Sequence, residues 1–202
     1  MDKKISIGPI KKTESNTIKY RLASFGDKEN IKNTILRALE SDPNAYTATL
    51  TEYKTASDDW WNGYLDPYVW SFDHFMYFAE LDGEIIGMVG LVKNSDQKKS
   101  HSGKVVWLWV DKDFRRIGIG RELMNKVLEK ARSDSKIVKI SLDVIGSQVG
   151  AIKLYRKFGF LENGRMIKEI YQNDKFYDLI TMEYFINREN SVSNTEEIIK
   201  LR

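Results

Sequence analysis

The chain has no cysteine and only two histidines among its 202 residues. Without thiols there can be no disulfide framework, no thiolate metal site and no cysteine nucleophile. A dominant charge is also lacking: 32 lysines and arginines face 29 acids, leaving a net charge of +3. That surplus is too small to suggest general nucleic-acid binding. The longest wholly apolar run, Val105 to Val110, is six residues, far short of a membrane span. The opening MDKKISIGPI has no apolar stretch of the kind a secretory leader carries. These absences predict a soluble, cytoplasmic protein with neither nucleic acid nor membrane as a partner. What is present is core material: 42% hydrophobic residues and 12% aromatics, enough for one well-buried domain. The expected layout is one domain over residues 1–187, followed by a polar tail over 188–202.

Periodicity supplies the elements. Val105 to Val110 is a β-branched and aromatic run that suits a central strand covered on both faces. After it, Ile119, Leu123, Met124, Val127, Leu128 and Ala131 recur with the spacing of an amphipathic helix. Val138, Ile140, Leu142 and Val144 then alternate with Lys139, Ser141 and Asp143, the pattern of a half-buried strand. Strand, loop, helix, strand is a βαβ unit with parallel strands. A second helix carries Ala151, Leu154, Tyr155 and Phe158 on one face, with Ser147 able to cap it and Gly159 to close it. Hairpins are expected to turn at Asp82-Gly83 and near Asn173-Asp174. Upstream, the pattern predicts a strand at 17–22, a helix at about 27–40 and a short helix near 57–64. The fold class is α/β (α+β): one domain whose sheet is partly antiparallel and partly parallel.

Between the apolar strand and the helix lies DFRRIGIGRELM, residues 113–124. A strand-to-helix junction offers unpaired N–H groups and the positive end of a helix dipole, both suited to an anion. Gly118 and Gly120 let the backbone approach closely, and Arg115, Arg116 and Arg121 can neutralise phosphate oxygens. A Walker A loop would need Gly-Lys-Ser/Thr, which is missing. A dinucleotide fingerprint would need a third glycine where Leu123 stands, which disfavours a nicotinamide-dependent oxidoreductase. The pattern R-x-x-G-x-G, satisfied from Arg115, is that of a pyrophosphate loop.

The stretches WVDKDFRRIGIGRELM and LDVIGSQVGAIKLYRKFGF together resemble the GNAT superfamily of acyl-CoA-dependent N-acyltransferases. The second stretch has Leu142, Val144, Ala151, Leu154, Tyr155, Gly159 and Phe160 in the family's places. The resemblance runs from about Tyr20 to Phe185 and is strongest over 105–160. It implies splayed parallel central strands flanked by helices, with acetyl-CoA as co-substrate and no metal. It places the pantetheine arm on Leu108, Trp109 and Val110, and the diphosphate on Arg115, Arg116, Ile117, Gly118, Ile119, Gly120 and Arg121. The family's asparagine near the pantetheine is Gln148 here, an amide one methylene further out.

Amide formation from a thioester needs a neutral amine, and an alkyl ammonium titrates near ~10.4, so a base must take its proton. The resemblance makes Tyr155 the acid that protonates the leaving sulfur; read alone, Tyr155 is equally a core tyrosine with a bonded hydroxyl. Asp143 takes the place of a glutamate that some family members use as base, one carbon shorter, and is equally a solvated carboxylate. His74 and His101 are the other groups that accept protons near neutral pH, His101 standing towards the surface. The aromatic segment of residues 60–78, with Asp58, Asp59, Asp66 and Asp73 in or beside it, reads mainly as packing. One edge of it is suited to an ammonium group. The function expected is acetyl transfer from acetyl-CoA to a primary amine of a small molecule; the resemblance implies that a homodimer is possible, and the aromatic surplus permits one. The alternatives are a non-catalytic acyl-CoA-binding regulatory module and an acetyltransferase of protein N-termini or lysines.

Overall fold

A computed structural model describes residues 17–71 and 73–186. The expected 188–202 tail lies outside the described residues. Seven strands form one sheet: β1 (Lys19–Leu22), β2 (His74–Leu81), β3 (Glu84–Lys93), β4 (Ser102–Val110), β5 (Lys139–Ile145), β6 (Leu161–Gln172) and β7 (Lys175–Phe185). Their order across the sheet is β1-β2-β3-β4-β5-β7-β6. Among the described residues the β4–β5 pair is parallel and the other five pairs are antiparallel. Both hairpins turn where the sequence places them, with Asp82, Gly83, Asn173 and Asp174 all at positive φ. That is the backbone of a type I′ turn, whose twist matches that of paired strands.

Among the described residues four α-helices cover the two faces. On one face, α1 (Lys28–Ser41) and α3 (Asp58–Trp70) bury Ile31, Ile35, Leu39, Trp61, Leu65 and Tyr68 against Met76, Phe78, Met88 and Trp109. On the other, α4 (Ile119–Ser133) and α5 (Val149–Lys157) close the core with Leu123, Met124, Val127, Ile152 and Tyr155. The apolar stripe of α4 is fully buried, each such side chain contributing about 1.5–3 kcal/mol. Gly87 lets α4 sit close on β3: a Cβ there would stand 3.1 Å from both Leu123 Cδ1 and the Trp109 carbonyl.

Several expectations are corrected. The helix placed near 57–64 runs on to Trp70, through Pro67, because Leu65 and Tyr68 continue its buried face. Ser57 does cap it, accepting from the Trp60 N–H at 3.2 Å. A short α2 (Leu50–Lys54) was not expected, although Thr49 and Glu52 form a reciprocal capping box. The cap of α5 is Gln148, not Ser147, and Val138 precedes β5 rather than belonging to it. β4 is not covered on both faces: Val106, Trp107, Leu108 and Val110 are only half-buried because they border a cleft.

Candidate functional site

The cleft originates in the sheet itself. β4 and β5 pair only at Ser102↔Lys139, Gly103↔Ile140 and Lys104↔Ser141, and diverge beyond. Trp107 sits at φ 55°, and the β3–β4 register shifts opposite it, between Met88 and Gly90. An extra residue on one strand bends that strand away, which opens the gap. β5 meanwhile stays paired to β7 as far as Ile145↔Leu179. The result is a cleft of about 850 Å³ between the two strands, bordered by the 115–121 loop, α5 and the segment joining α1 to α2.

At the mouth of the gap, Gly118 caps α4 at φ 99°, and Arg116 is also left-handed at φ 70°. Only glycine adopts the first conformation without strain. The first intrahelical bond runs from the Glu122 N–H to the Gly118 carbonyl, 3.0 Å. The N–H groups of Ile119, Gly120 and Arg121 therefore have no acceptor within the helix and point outward with the dipole behind them. Ile119 contributes its backbone only, since its side chain is buried in the core, whereas Ile117 is exposed. A Cβ on Gly120 would meet Val110 and Leu154 at ordinary contact distances of 3.6 and 3.8 Å, so alanine fits there.

The three arginines divide. Arg115 donates from Nε to the Val110 carbonyl at 2.8 Å and pairs with Asp42, so it braces the loop. Arg116 and Arg121 form no ion pair among the described residues and are exposed at the rim, where an anion would arrive. Asp111 serves the turn: it accepts from the Asp113 N–H at 3.1 Å and also holds Arg37 at 2.8 Å.

The edge of β4 that faces the gap carries Leu108 and Val110. Their carbonyls accept from the Tyr46 hydroxyl at 3.3 Å and from Arg115. A strand residue's N–H and C=O point to the same side, so both N–H groups face the gap as well. Trp109 lies between them, but its carbonyl abuts Gly87 and its indole donates to Ser41 at 3.0 Å on the helical face.

Tyr155 lines the same cleft from α5, 7% exposed. Its hydroxyl forms no hydrogen bond with another described residue, unlike an ordinary core tyrosine. Burial pushes its pKa well above the ordinary value, so it stays a neutral donor. Asp143 also lines the cleft, but its two oxygens are taken: Lys104 Nζ lies 2.5 Å from one, and the Thr181 hydroxyl donates to the other at 2.7 Å. Gln148, expected near the pantetheine, lines the cleft, and its amide donates to the Asn44 carbonyl at 3.0 Å.

That bond joins the Arg115–Asp42 and Tyr46–Leu108 contacts in tying the α1–α2 segment to distant parts of the chain, and two more come from the β6–β7 hairpin. Gln172 donates to the Pro43 carbonyl at 2.8 Å and Asn173 to Asn44 Oδ1 at 3.2 Å, both from the β6–β7 hairpin. At the end of the cleft away from α4, the walls are rings: Tyr46, Tyr53, Tyr64 and Trp107. Tyr46 lies 5.1 Å from Trp107, and Trp107 Nε1 donates to the Tyr64 hydroxyl at 2.6 Å. Of these, only Tyr64 falls in the aromatic segment singled out in the sequence. Three of that segment's four acids are engaged elsewhere: Asp66 with Lys28, Asp58 with Lys32 and Asp73 with Lys93. His74 and His101 do not line the cleft. Among the described residues no cluster of three or more histidines or acids could hold a metal ion, and no helix is long and apolar enough to cross a membrane.

With this geometry in view, residues 36–160, more than half of the chain, match the family model described as Acetyltransferase (GNAT) family. An uncharacterized N-acetyltransferase of Methanocaldococcus jannaschii is 32% identical over 102 residues, 46% of this chain and 45% of that protein. The L-amino acid N-acetyltransferase AaaT of Escherichia coli is 26% identical over 104 residues, 52% of this chain and 64% of that protein. The match thus spans about half the length of these curated relatives. Among solved structures, a GNAT-family acetyltransferase from Streptococcus pneumoniae superposes with a TM-score of 0.74 at 20% identity, covering 85% of this chain and 100% of that one. YncA of Salmonella typhimurium, solved with its cofactor acetyl-CoA, gives 0.67 at 15% identity, covering 88% and 99%.

Proposed function

From the premise that the chain belongs to the Acetyltransferase (GNAT) family, we propose that it transfers the acetyl group of acetyl-CoA to a primary amine of a small molecule. The observation that carries this reading is the splayed β4–β5 pair, which opens directly onto the α4 N-terminus and onto Tyr155, whose hydroxyl is unbonded among the described residues. The residues fit the co-substrate. The N–H groups of 119–121 with Arg116 and Arg121 suit a diphosphate, and the gap-facing edge of Leu108 and Val110 suits an amide-bearing arm. When bound, acetyl-CoA supplies the acyl group as a thioester.

The chain's own groups do the rest. The N–H groups of Leu108 and Val110 are fixed donors on the gap side, placed to polarise a carbonyl without reorganising. Tyr155, held neutral by burial, donates to negative charge developing on a departing sulfur. A thiol titrates near ~8.5, below the phenol, so Tyr155 acts first as a hydrogen-bond donor and full proton transfer follows with solvent. Asp143, held by Lys104 and Thr181, fixes the floor of the cleft where the strands part.

Two features support a small acceptor over a protein chain. The Gln172–Pro43 and Asn173–Asn44 bonds close one side of the cleft, whereas a polypeptide needs an open groove. The ring walls suit an amine borne on a flat apolar group, and the acids that line the cleft among the described residues, Asp42 and Asp143, are both ion-paired, which leaves none of those carboxylates for a second ammonium. The test is free-thiol release from acetyl-CoA with 2-phenylethylamine, set against spermidine and a peptide N-terminus. Tyr155→Phe should lower kcat on the order of 10²-fold while acetyl-CoA still binds by calorimetry. Unchanged turnover would remove Tyr155 from the chemistry. Binding with no turnover of any amine would identify an acyl-CoA-binding module instead.

A further inference from the structure

Far from the α4 end, the floor of the cleft carries one further pair of charges. Lys104 is the one lysine among the described residues that line the cleft. It is also the last β4 residue paired to β5, opposite Ser141, so it stands where the two strands part. On β5, Leu142 and Val144 are buried in the core with α4 and α5, so Asp143 between them points to the opposite face of the sheet. On β4, Val106 lies on the α3 side: a Cβ on Gly90 would stand 3.1 Å from its Cγ2 and 3.4 Å from the Tyr68 ring. Lys104, two residues earlier, shares that face. Lysine and acid thus meet on the side of the cleft that the rings wall in.

The two partners are held unequally. Asp143 is fixed twice, by Lys104 Nζ at 2.5 Å on one oxygen and by the Thr181 hydroxyl at 2.7 Å on the other. Lys104 has this carboxylate as its one side-chain hydrogen-bond partner among the described residues, and its side chain is 50% exposed against 26% for the acid. Without the lysine, Thr181 still aims the carboxylate. A pair this exposed contributes little to folding, so it can be opened without unfolding the chain. The other acid of the cleft differs: the Arg115 that pairs with Asp42 also donates to the Val110 carbonyl and braces the loop.

We propose that Lys104 is a specificity-determining residue, which masks Asp143 and thereby excludes acceptors that carry a second ammonium. The proposal rests on the acetyl-transfer reading above. Lys104 places its own alkyl ammonium where the far end of a diamine would otherwise sit. A second ammonium therefore meets a neutralised carboxylate with a like charge beside it, a repulsive element of the kind that sets specificity. A monoamine on an apolar body meets neither and rests on Tyr46, Tyr53, Tyr64 and Trp107. Leu108, whose N–H faces the reacting end, is four residues further along β4, about 13 Å or less at the rise of a strand. Only an acceptor long enough to span from there to the parting of the strands encounters the mask.

The test compares kcat/KM for spermidine and 2-phenylethylamine in the full chain, by free-thiol release at saturating acetyl-CoA. In Lys104→Met the spermidine to 2-phenylethylamine ratio should rise roughly 10- to 100-fold, the range for one charge-assisted hydrogen bond gained. Lys104→Gln should move the ratio the same way, and Lys104→Arg, which keeps the positive charge, should not. The gain should shrink with length, from spermidine through 1,5-diaminopentane to 1,2-diaminoethane, and vanish in Lys104→Met/Asp143→Asn. A merely structural lysine would lower turnover of every amine alike. An unmoved ratio in both Lys104→Met and Lys104→Gln, or a gain that survives Asp143→Asn, overturns the mask. Calorimetry with spermidine alone reads the same site apart from turnover: Lys104→Met should bind it more tightly than wild type and lose that advantage when Asp143→Asn is added. If no amine is acetylated by any of these chains, the acetyl-transfer reading fails, and equal spermidine affinity in wild type and Lys104→Met separately overturns the mask.

Discussion

At the α4 end of the cleft the ligand-facing groups are backbone N–H groups of consecutive residues, aimed by two left-handed positions, Arg116 and Gly118. At the other end they are side chains of Tyr46, Tyr53, Tyr64 and Trp107, drawn from a loop, two helices and a strand. The first end is a local structure, complete within a dozen residues. The second exists only after the whole chain has folded, and it is held together by bonds such as Gln172 to Pro43. A backbone cradle recognises a constant chemical group and tolerates side-chain change, whereas a ring-lined wall changes its preference with each substitution.

That contrast can be broken by experiment, and the Tyr155→Phe loss in kcat, at the junction of the two ends, is the largest effect expected. Next comes Gly118→Val, which forces a β-branched residue to φ 99° and redirects the N–H groups. Strain of about 1–3 kcal/mol predicts a Kd for acetyl-CoA weaker by roughly 5- to 150-fold, read by calorimetry, with KM for the amine unchanged. Trp107→Leu should do the reverse: KM for 2-phenylethylamine up by about 3- to 10-fold through loss of ring contact, with acetyl-CoA affinity retained. If both variants shifted both constants, the two ends would not be separable. The smallest effect belongs to Gln172→Ala, which removes one neutral hydrogen bond of about 0.5–1.5 kcal/mol from the bridge. A few-fold rise in amine KM is expected, and a gain of activity on a peptide N-terminus would show that the bridge excludes chains.

The difference in construction also explains what could be read in advance. The Gly118–Gly120 loop, the α4 stripe and both hairpin turns were legible because each is fixed by residues adjacent in sequence. The fold class and the β4–α4–β5 unit followed from those. Three local signals pointed elsewhere than the structure went: Ser147 was passed over as a cap, Pro67 failed to end α3, and the acids near the aromatic segment paired with surface lysines. In each case tertiary packing outweighed a local preference. Tyr46, Tyr53 and Trp107 had no readable signal as site residues, since spacing says nothing about which rings meet across 50 or more positions. The Trp107 bulge was hidden for the same reason: VVWLWV reads as an unbroken strand, and only pairing with β3 reveals the extra residue.

The early parting of β4 from β5 has a thermodynamic side. Past Lys104 and Ser141, two neighbouring strands give up the mutual hydrogen bonds that a continuous sheet would have, so the centre of the molecule is its least finished part. A ligand whose amide groups lie along the β4 edge completes that ladder and binds only the folded chain. Folding and ligand binding are then coupled by mass action. At acetyl-CoA concentrations of 100 times Kd the folded state gains about 2.7 kcal/mol, which would appear as a raised Tm that tracks co-substrate concentration.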